Sequence, residues 1–225
     1  MKYEYEFKMD QMFDRNEEYD LFICSCCFAL SDLLIINQEI LEAVSNPQKW
    51  YSSTFFRINM GFAREAYELL KSKFTNESFK KEYLLPIENA VERYTKIDNI
   101  INGKTELMTF KEHKLNENRH LIFHYPKKEE DYCLIQEVLC DLEKDGQKFR
   151  YYESDNTDDS ENQKFEFAAI IQFNALFGIH KADGNDSSRI INDLAILTTQ
   201  IISLLELLFG EFVSKKQWSI AATNN

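Results

Sequence analysis

Three side chains with the greatest capacity for chemistry lie within six residues of one another: Arg119, His120 and His124. If this segment is helical, His120 and His124 are four residues apart on one face, and Arg119 lies beside that face. An imidazole can take up or release a proton near neutral pH. A guanidinium is permanently charged and can hold a phosphate through two hydrogen bonds. The combination suits metal-free cleavage of a phosphodiester by its own ribose 2′-hydroxyl.

The same residues resemble the motif of the HEPN superfamily (higher eukaryotes and prokaryotes nucleotide-binding domains). That motif is an Arg, a polar residue directly after it, and a His a few residues later, as in Arg119, His120 and His124. Family members are all-helical bundles, and many are metal-independent endoribonucleases of toxin–antitoxin, phage-defence and RNA-processing systems. Dimerisation brings two copies of the motif into one cleft. The resemblance covers this motif and the helical layout of the chain.

The resemblance implies a role for each of the three residues. Arg119 would bind the scissile phosphate, His124 would act as catalytic base or acid, and His120 would be the supporting polar residue. It implies no cofactor and no metal. The expected function is that of a metal-independent endoribonuclease, as a toxin or phage-defence component. The expected partners are RNA or a nucleotide, a second copy of the chain in a homodimer, and an antitoxin protein.

Other interpretations of the motif remain open. His113, His120 and His124 could hold a metal ion, although a zinc-protease pattern requires Glu where the chain has Leu121. The motif could bind a nucleotide without cleaving it. A purely structural role would pair Arg119 with an acidic neighbour and bond the His124 imidazole to the backbone. The chain would then be a non-catalytic helical module for nucleotide binding or protein interaction, with an acidic surface suited to a basic partner.

Composition limits the fold and the range of partners. The 225 residues include only 6 Gly and 3 Pro, so long helices with few reversals are expected, in a single domain over 1–225. The net charge of −12 argues against broad, sequence-independent binding to nucleic acid and leaves room only for a local basic pocket. Much of the acid is concentrated in 153–163, which is predicted to be a mobile loop.

Cysteine usage indicates a reducing compartment. The five cysteines are an odd number and no secretory signal is recognised, so buried free thiols and a cytoplasmic location are expected. A metal site at Cys24, Cys26 and Cys27 is the weaker alternative, because a second spaced pair is missing. The apolar segment 21–36 contains Asp32 and is too short to span a bilayer, so a buried helix and no membrane association are predicted.

Apolar periodicity and helix-ending residues predict an all-α bundle of about seven helices. The last helix carries Ile and Leu on most sides, which is typical of a bundle centre or a dimer interface. The second helix is expected to place Arg57, Asn59, Arg64 and Glu65 on its polar side, with Arg64 and Glu68 as an ion pair. The predicted helices cover 17–44, 52–74, 76–101, 109–124, 128–144, 165–177 and 186–213. In the third of these, a kink is expected at Pro86, and a solvated face is expected to carry Glu88, Glu92 and Arg93.

Overall fold

The computed structural model describes residues 12–45, 52–107, 136, 139–140 and 184–216, with side chains of 41–45, 52–55 and 184–188 excluded. Within these ranges all regular secondary structure is helical and no strand is present, which confirms the all-α prediction. The five α-helices are α1 (Glu18–Ser45), α2 (Ser52–Phe74), the single turn α3 (Glu77–Phe79), α4 (Ala90–Ile101) and α5 (Gly184–Lys215).

The sequence accounts for the bounds of the first helices. Glu18 and Asp20 place negative charge in the first turn of α1, where the helix dipole favours it. The helix ends at Ser45, two residues before Pro47, because the residue preceding a proline is disfavoured in helical conformation. Lys71 and Lys73 complement the opposite dipole end in the last turn of α2.

The predicted helix over 76–101 is interrupted rather than kinked. Asn76 caps α3 as expected, since its Oδ1 accepts a hydrogen bond from the Phe79 backbone N–H at 3.1 Å. A π-helical turn over Lys80–Leu84 follows, and the chain then leaves the helix around Pro86, which has no N–H to donate. Asn89, with φ at 65°, reverses the path so that α4 can begin at Ala90.

The long helices alternate in direction. Glu18 at the start of α1 forms an ion pair with Lys73 at the end of α2, so these two helices are antiparallel. Phe74 stacks on Tyr94, and the Tyr67 hydroxyl donates to Asp98 at 2.8 Å, which makes α4 antiparallel to α2. Helix α5 packs against α1, α2 and α4, while α1 and α4 lie on opposite sides of the bundle.

The two ends of this bundle differ in chemistry. One end, called here the aromatic end, joins the starts of α1 and α4 to the ends of α2 and α5. There Tyr19 stacks on Tyr83 with ring centroids 4.8 Å apart, and Phe22 meets Phe79 edge-on at 5.4 Å. The opposite end, called here the connecting end, holds the start of α2 and the start of α5. Residues 108–183 lie between α4 and α5 in the chain.

Two parts of the predicted architecture require correction. About seven helices were expected, whereas the described residues form five α-helices. The expected helices over 109–124 and 165–177 lie outside the described residues. Of the expected helix over 128–144, only Gln136, Leu139 and Cys140 are described, and all three are helical. The C-terminal helix is longer than predicted but only weakly apolar, because its buried side faces one direction. Its exposed side carries Asn192, Ala195, Ile196, Thr199, Glu206 and Gly210.

A buried carboxylate fastens the aromatic end. Asp20 in α1 is 5% exposed, and its Oδ2 accepts hydrogen bonds from Lys216 Nζ at 2.6 Å and from the Asp14 backbone N–H at 2.8 Å. Lys216 follows the last residue of α5, so the pair joins the start of α1 to the end of α5. This contact shows that α5 runs antiparallel to α1.

We expect Lys216→Met to lower the free energy of unfolding by about 1–3 kcal/mol, because it leaves the Asp20 carboxylate buried without its counter-charge. The control is Lys96→Met. Lys96 pairs with Glu92 on the surface of α4, where both side chains are more than half exposed, so little change is expected. Urea titration of both variants measures the difference, and equal effects would show that the Asp20 contact is not stabilising.

Candidate functional site

The predicted catalytic residues lie outside the described part of the chain. Arg119, His120 and His124 all fall in 108–183, as do His113 and the acidic segment 153–163. The chain enters this segment after Leu107, whose side chain packs against the core, and leaves it at Gly184, where α5 begins. The motif therefore belongs to the segment between α4 and α5, and α5 begins at the connecting end of the bundle.

A polar pair occupies the core in the half of the bundle nearer that end. Asn59 of α2 and Thr198 of α5 are 2% and 1% exposed. Asn59 Nδ2 donates to Thr198 Oγ1 at 3.1 Å, and Thr198 Oγ1 lies 3.4 Å from Asn59 Oδ1, so each side chain has a partner across the helix interface. Asp193, less than two turns earlier on α5, is 4% exposed.

The position of Asn59 corrects the sequence-based prediction, which assigned it to the polar side of α2. Phe56, Met60 and Ala63 are buried with it, three and four residues apart, so Asn59 belongs to the apolar face. The Arg64–Glu68 ion pair is confirmed, and the Arg64 guanidinium also lies 5.2 Å from the centre of the Tyr67 ring.

A second polar contact holds α4 against α5. Arg93 was expected on a solvated face together with Glu88 and Glu92, but only the two glutamates are exposed. The Arg93 guanidinium instead donates to the Ser203 carbonyl oxygen at 2.9 Å and to the Ser203 hydroxyl. These hydrogen bonds hold the Arg93 guanidinium in the interface between α4 and α5, which explains its partial burial.

The aromatic end contains a buried tyrosine hydroxyl, that of Tyr19. Tyr19 is 8% exposed, and among the described residues its hydroxyl has no hydrogen-bond partner. Burial, with smaller contributions from Cys26, Glu211 and Asp20, raises the pKa of Tyr19 to about 12. The neutral phenol is therefore the folded form at physiological pH, and this side chain serves packing rather than proton transfer.

The four cysteines that the structure describes are free, and only one of them is buried. Cys26 is buried, Cys24 and Cys27 are partly exposed and Cys140 is exposed, whereas all were expected inside. Burial raises the pKa of the Cys27 thiol to about 11, with a smaller contribution from Cys24, so this thiol stays protonated and weakly nucleophilic. Within the described ranges, no group of three or more His, Cys, Asp or Glu side chains is arranged to hold a metal ion.

In the described part of the chain, two helical stretches meet the length and composition of a membrane span: Glu18–Ile40 and Arg189–Lys215. The first is longer than the apolar segment 21–36 considered from sequence, so length does not exclude it. A core helix of a soluble protein meets the same criteria, and 39% of each window is buried inside the bundle. The absence of membrane association remains a prediction.

Comparison of the chain with protein-family models, with curated proteins and with solved structures found no match. The functional assignment therefore depends on the residues themselves. Asn59 and Thr198 are buried and bond to each other, and Arg93 bonds to Ser203, so both polar pairs hold helices in position. The candidate site remains the segment that contains Arg119 and His124.

We expect Asn59→Ala and Thr198→Val each to lower the free energy of unfolding by about 1–3 kcal/mol, because each leaves a buried polar partner unpaired. The double variant should cost less than the sum, since no orphaned group remains. A double-mutant cycle by urea titration gives the coupling energy. Strict additivity would mean that the two side chains do not interact.

We expect Tyr19→Phe to raise the free energy of unfolding at pH 7 by about 1 kcal/mol, because it removes a buried hydroxyl without a partner. The variant should also lose less stability above pH 10. There the unfolded phenol ionises while the folded one, with its pKa near 12, remains neutral, so wild-type stability falls as pH rises. Urea titrations from pH 7 to 11 measure both effects. An unchanged slope above pH 10 would contradict the assignment.

Proposed function

We propose that this protein is an HEPN-like, metal-independent endoribonuclease in which Arg119 and His124 act on the scissile phosphate of RNA. The observation that carries the proposal is the motif itself, which places Arg119, the polar His120 and the second histidine, His124, within six residues. The all-α bundle agrees with the fold that the resemblance implies.

The proposed reaction uses only groups of the chain and of the RNA. One imidazole takes the proton of the ribose 2′-hydroxyl as that oxygen attacks the phosphorus, and the bond from phosphorus to the 5′-oxygen breaks. The leaving 5′-oxygen receives a proton from the imidazolium of the second copy of the motif in the proposed dimer, and the products are a cyclic 2′,3′-phosphate and a 5′-hydroxyl. The Arg119 guanidinium stabilises the charge that develops on the phosphate oxygens. His120 supports the position of these groups.

Further parts of the proposal concern assembly. We propose a homodimer, because two motifs that meet in one cleft supply more cationic and proton-transferring groups than one. The exposed Ile196 and Ala195 of α5 offer one surface for such contact. A cytoplasmic toxin or phage-defence role with an antitoxin partner follows from the resemblance. A second candidate function, a helical interaction module without catalysis, is favoured by the strongly acidic surface.

The decisive assay is cleavage of total RNA in the presence of EDTA. We expect activity to persist with EDTA and to fall at least about a hundredfold in Arg119→Ala and in His124→Ala, because general acid–base catalysis and charge stabilisation each contribute that much. His113→Ala, in the same segment but outside the motif, is the matched control and should remain active.

Three results would contradict the proposal. Activity abolished by EDTA would indicate a metal-dependent reaction. Cleavage retained in His124→Ala would indicate a contaminating or different activity. No cleavage under any condition, with RNA binding that depends on Arg119, would favour the non-catalytic nucleotide-binding alternative.

A further inference from the structure

Helix α1 exposes a row of large apolar side chains on the side opposite the bundle core. Leu21, Phe28 and Ile35 are 48%, 67% and 61% exposed. They are spaced seven residues apart, and seven residues are close to two helical turns, so the three side chains form a single line along the helix. Single exposed apolar residues are ordinary on protein surfaces, but a line of three is not.

The opposite face of α1 is already used by the fold. Phe22, Ile23, Cys26, Leu33, Ile36 and Ile40 are buried in the core. Core packing therefore does not account for Leu21, Phe28 and Ile35. A seven-residue repeat is the spacing at which one helix packs along another, because it keeps the apolar line facing the partner. The geometry indicates an elongated helical partner rather than a globular pocket.

Charge identifies the chemistry of that partner. Asp32 and Glu39 are exposed on the same side of α1, each four residues after a member of the apolar line. Helix α1 contains five acidic residues and no Lys, Arg or His over its 28 positions. Of these acids, Glu18 and Asp20 already pair with Lys73 and Lys216. The charged residues of α1 beside Phe28 and Ile35 are therefore Asp32 and Glu39, both acidic. We call this surface, defined by Leu21, Phe28, Asp32, Ile35 and Glu39, the α1 ridge.

Two other occupants fit the α1 ridge less well. A second copy of the chain would bring acidic residues against acidic residues, which opposes association. Helices that lie on membrane surfaces carry Lys and Arg on their polar side, and the negative surface of many membranes repels an acidic helix. A helix with apolar residues at heptad spacing and flanking Lys or Arg would satisfy both the apolar line and its charges.

We propose that the α1 ridge is a docking surface for a basic amphipathic helix of a partner protein. The proposal is independent of the ribonuclease proposal, because α1 contains none of the motif residues. Apolar contact with Phe28 and its neighbours supplies affinity, and the acidic border selects a cationic partner and sets its register.

The test uses a designed peptide of about three heptads, with Leu at the core-facing positions and Lys at the flanking positions. A second peptide with Glu in place of Lys is the charge control. Binding to the full-length protein is measured by fluorescence anisotropy at low and at high salt. We expect the Lys peptide to bind, the Glu peptide not to bind, and affinity for the Lys peptide to fall as salt rises.

Variants of the protein locate the binding surface. Phe28→Ala should weaken binding of the Lys peptide at least about tenfold, because a large apolar contact is lost. Leu85→Ala, at an exposed residue (55%) outside α1, is the matched control and should bind normally. The double charge reversal Asp32→Lys with Glu39→Lys should weaken binding of the Lys peptide about three- to tenfold and strengthen binding of the Glu peptide. All changed side chains are exposed, so the fold should be retained, which circular dichroism verifies.

Four outcomes would overturn the proposal. The first is that the Lys peptide does not bind up to about millimolar concentration, and the second is that Phe28→Ala and Leu85→Ala change its affinity equally. The third is that the protein sediments as a dimer that Phe28→Ala dissociates. The fourth is that the protein binds phosphatidylcholine vesicles in a way that depends on Phe28. The dimer would assign the α1 ridge to a second copy, and vesicle binding would assign it to a lipid surface. None of these results measures RNA cleavage by Arg119 and His124, so the docking proposal and the cleavage proposal fail separately; a dimer through the α1 ridge would bear only on the assembly of the proposed homodimer.

Discussion

The arrangement of the bundle depends on one buried carboxylate. Asp20 lies almost wholly out of solvent and is compensated by the Lys216 ammonium and by a backbone N–H. An uncompensated charge at such a position is costly, so α1 and α5 must meet in the one register that brings these groups together. The two longest helices are thereby fixed as antiparallel. Helix α2 follows because Lys73 pairs with Glu18, and α4 follows through its contacts with α2.

Local patterns in the sequence were sufficient for most helix bounds. The cap at Asn76, the end of α1 before Pro47 and the start of α2 at Ser52 all depend on residues within a few positions of the boundary. The interruption between 85 and 89 was underestimated, because a proline indicates a break without fixing whether the helix resumes in line. Asn89 supplies the change of direction through a backbone conformation that residue type alone does not determine.

Contacts between residues that lie far apart in the chain could not be predicted from the sequence. Asn59 was assigned to the wrong face because an amide is ordinarily solvated, and only its pairing with Thr198, 139 residues later, makes burial favourable. Arg93 was misassigned for the same reason, since its acceptor is a carbonyl of α5. The candidate site was recognised from chemistry and spacing alone, and Arg119, His120 and His124 lie outside the described residues.

The late position of α5 in the chain has a consequence for biosynthesis. Helices α1 and α2 can pair as soon as they leave the ribosome, but the apolar groove that receives α5 stays open until residues 184–216 are made. At roughly 5–20 residues per second, translation of 108–183 takes on the order of four to fifteen seconds. During that interval the nascent chain exposes the apolar faces of α1, α2 and α4 that α5 covers in the folded bundle.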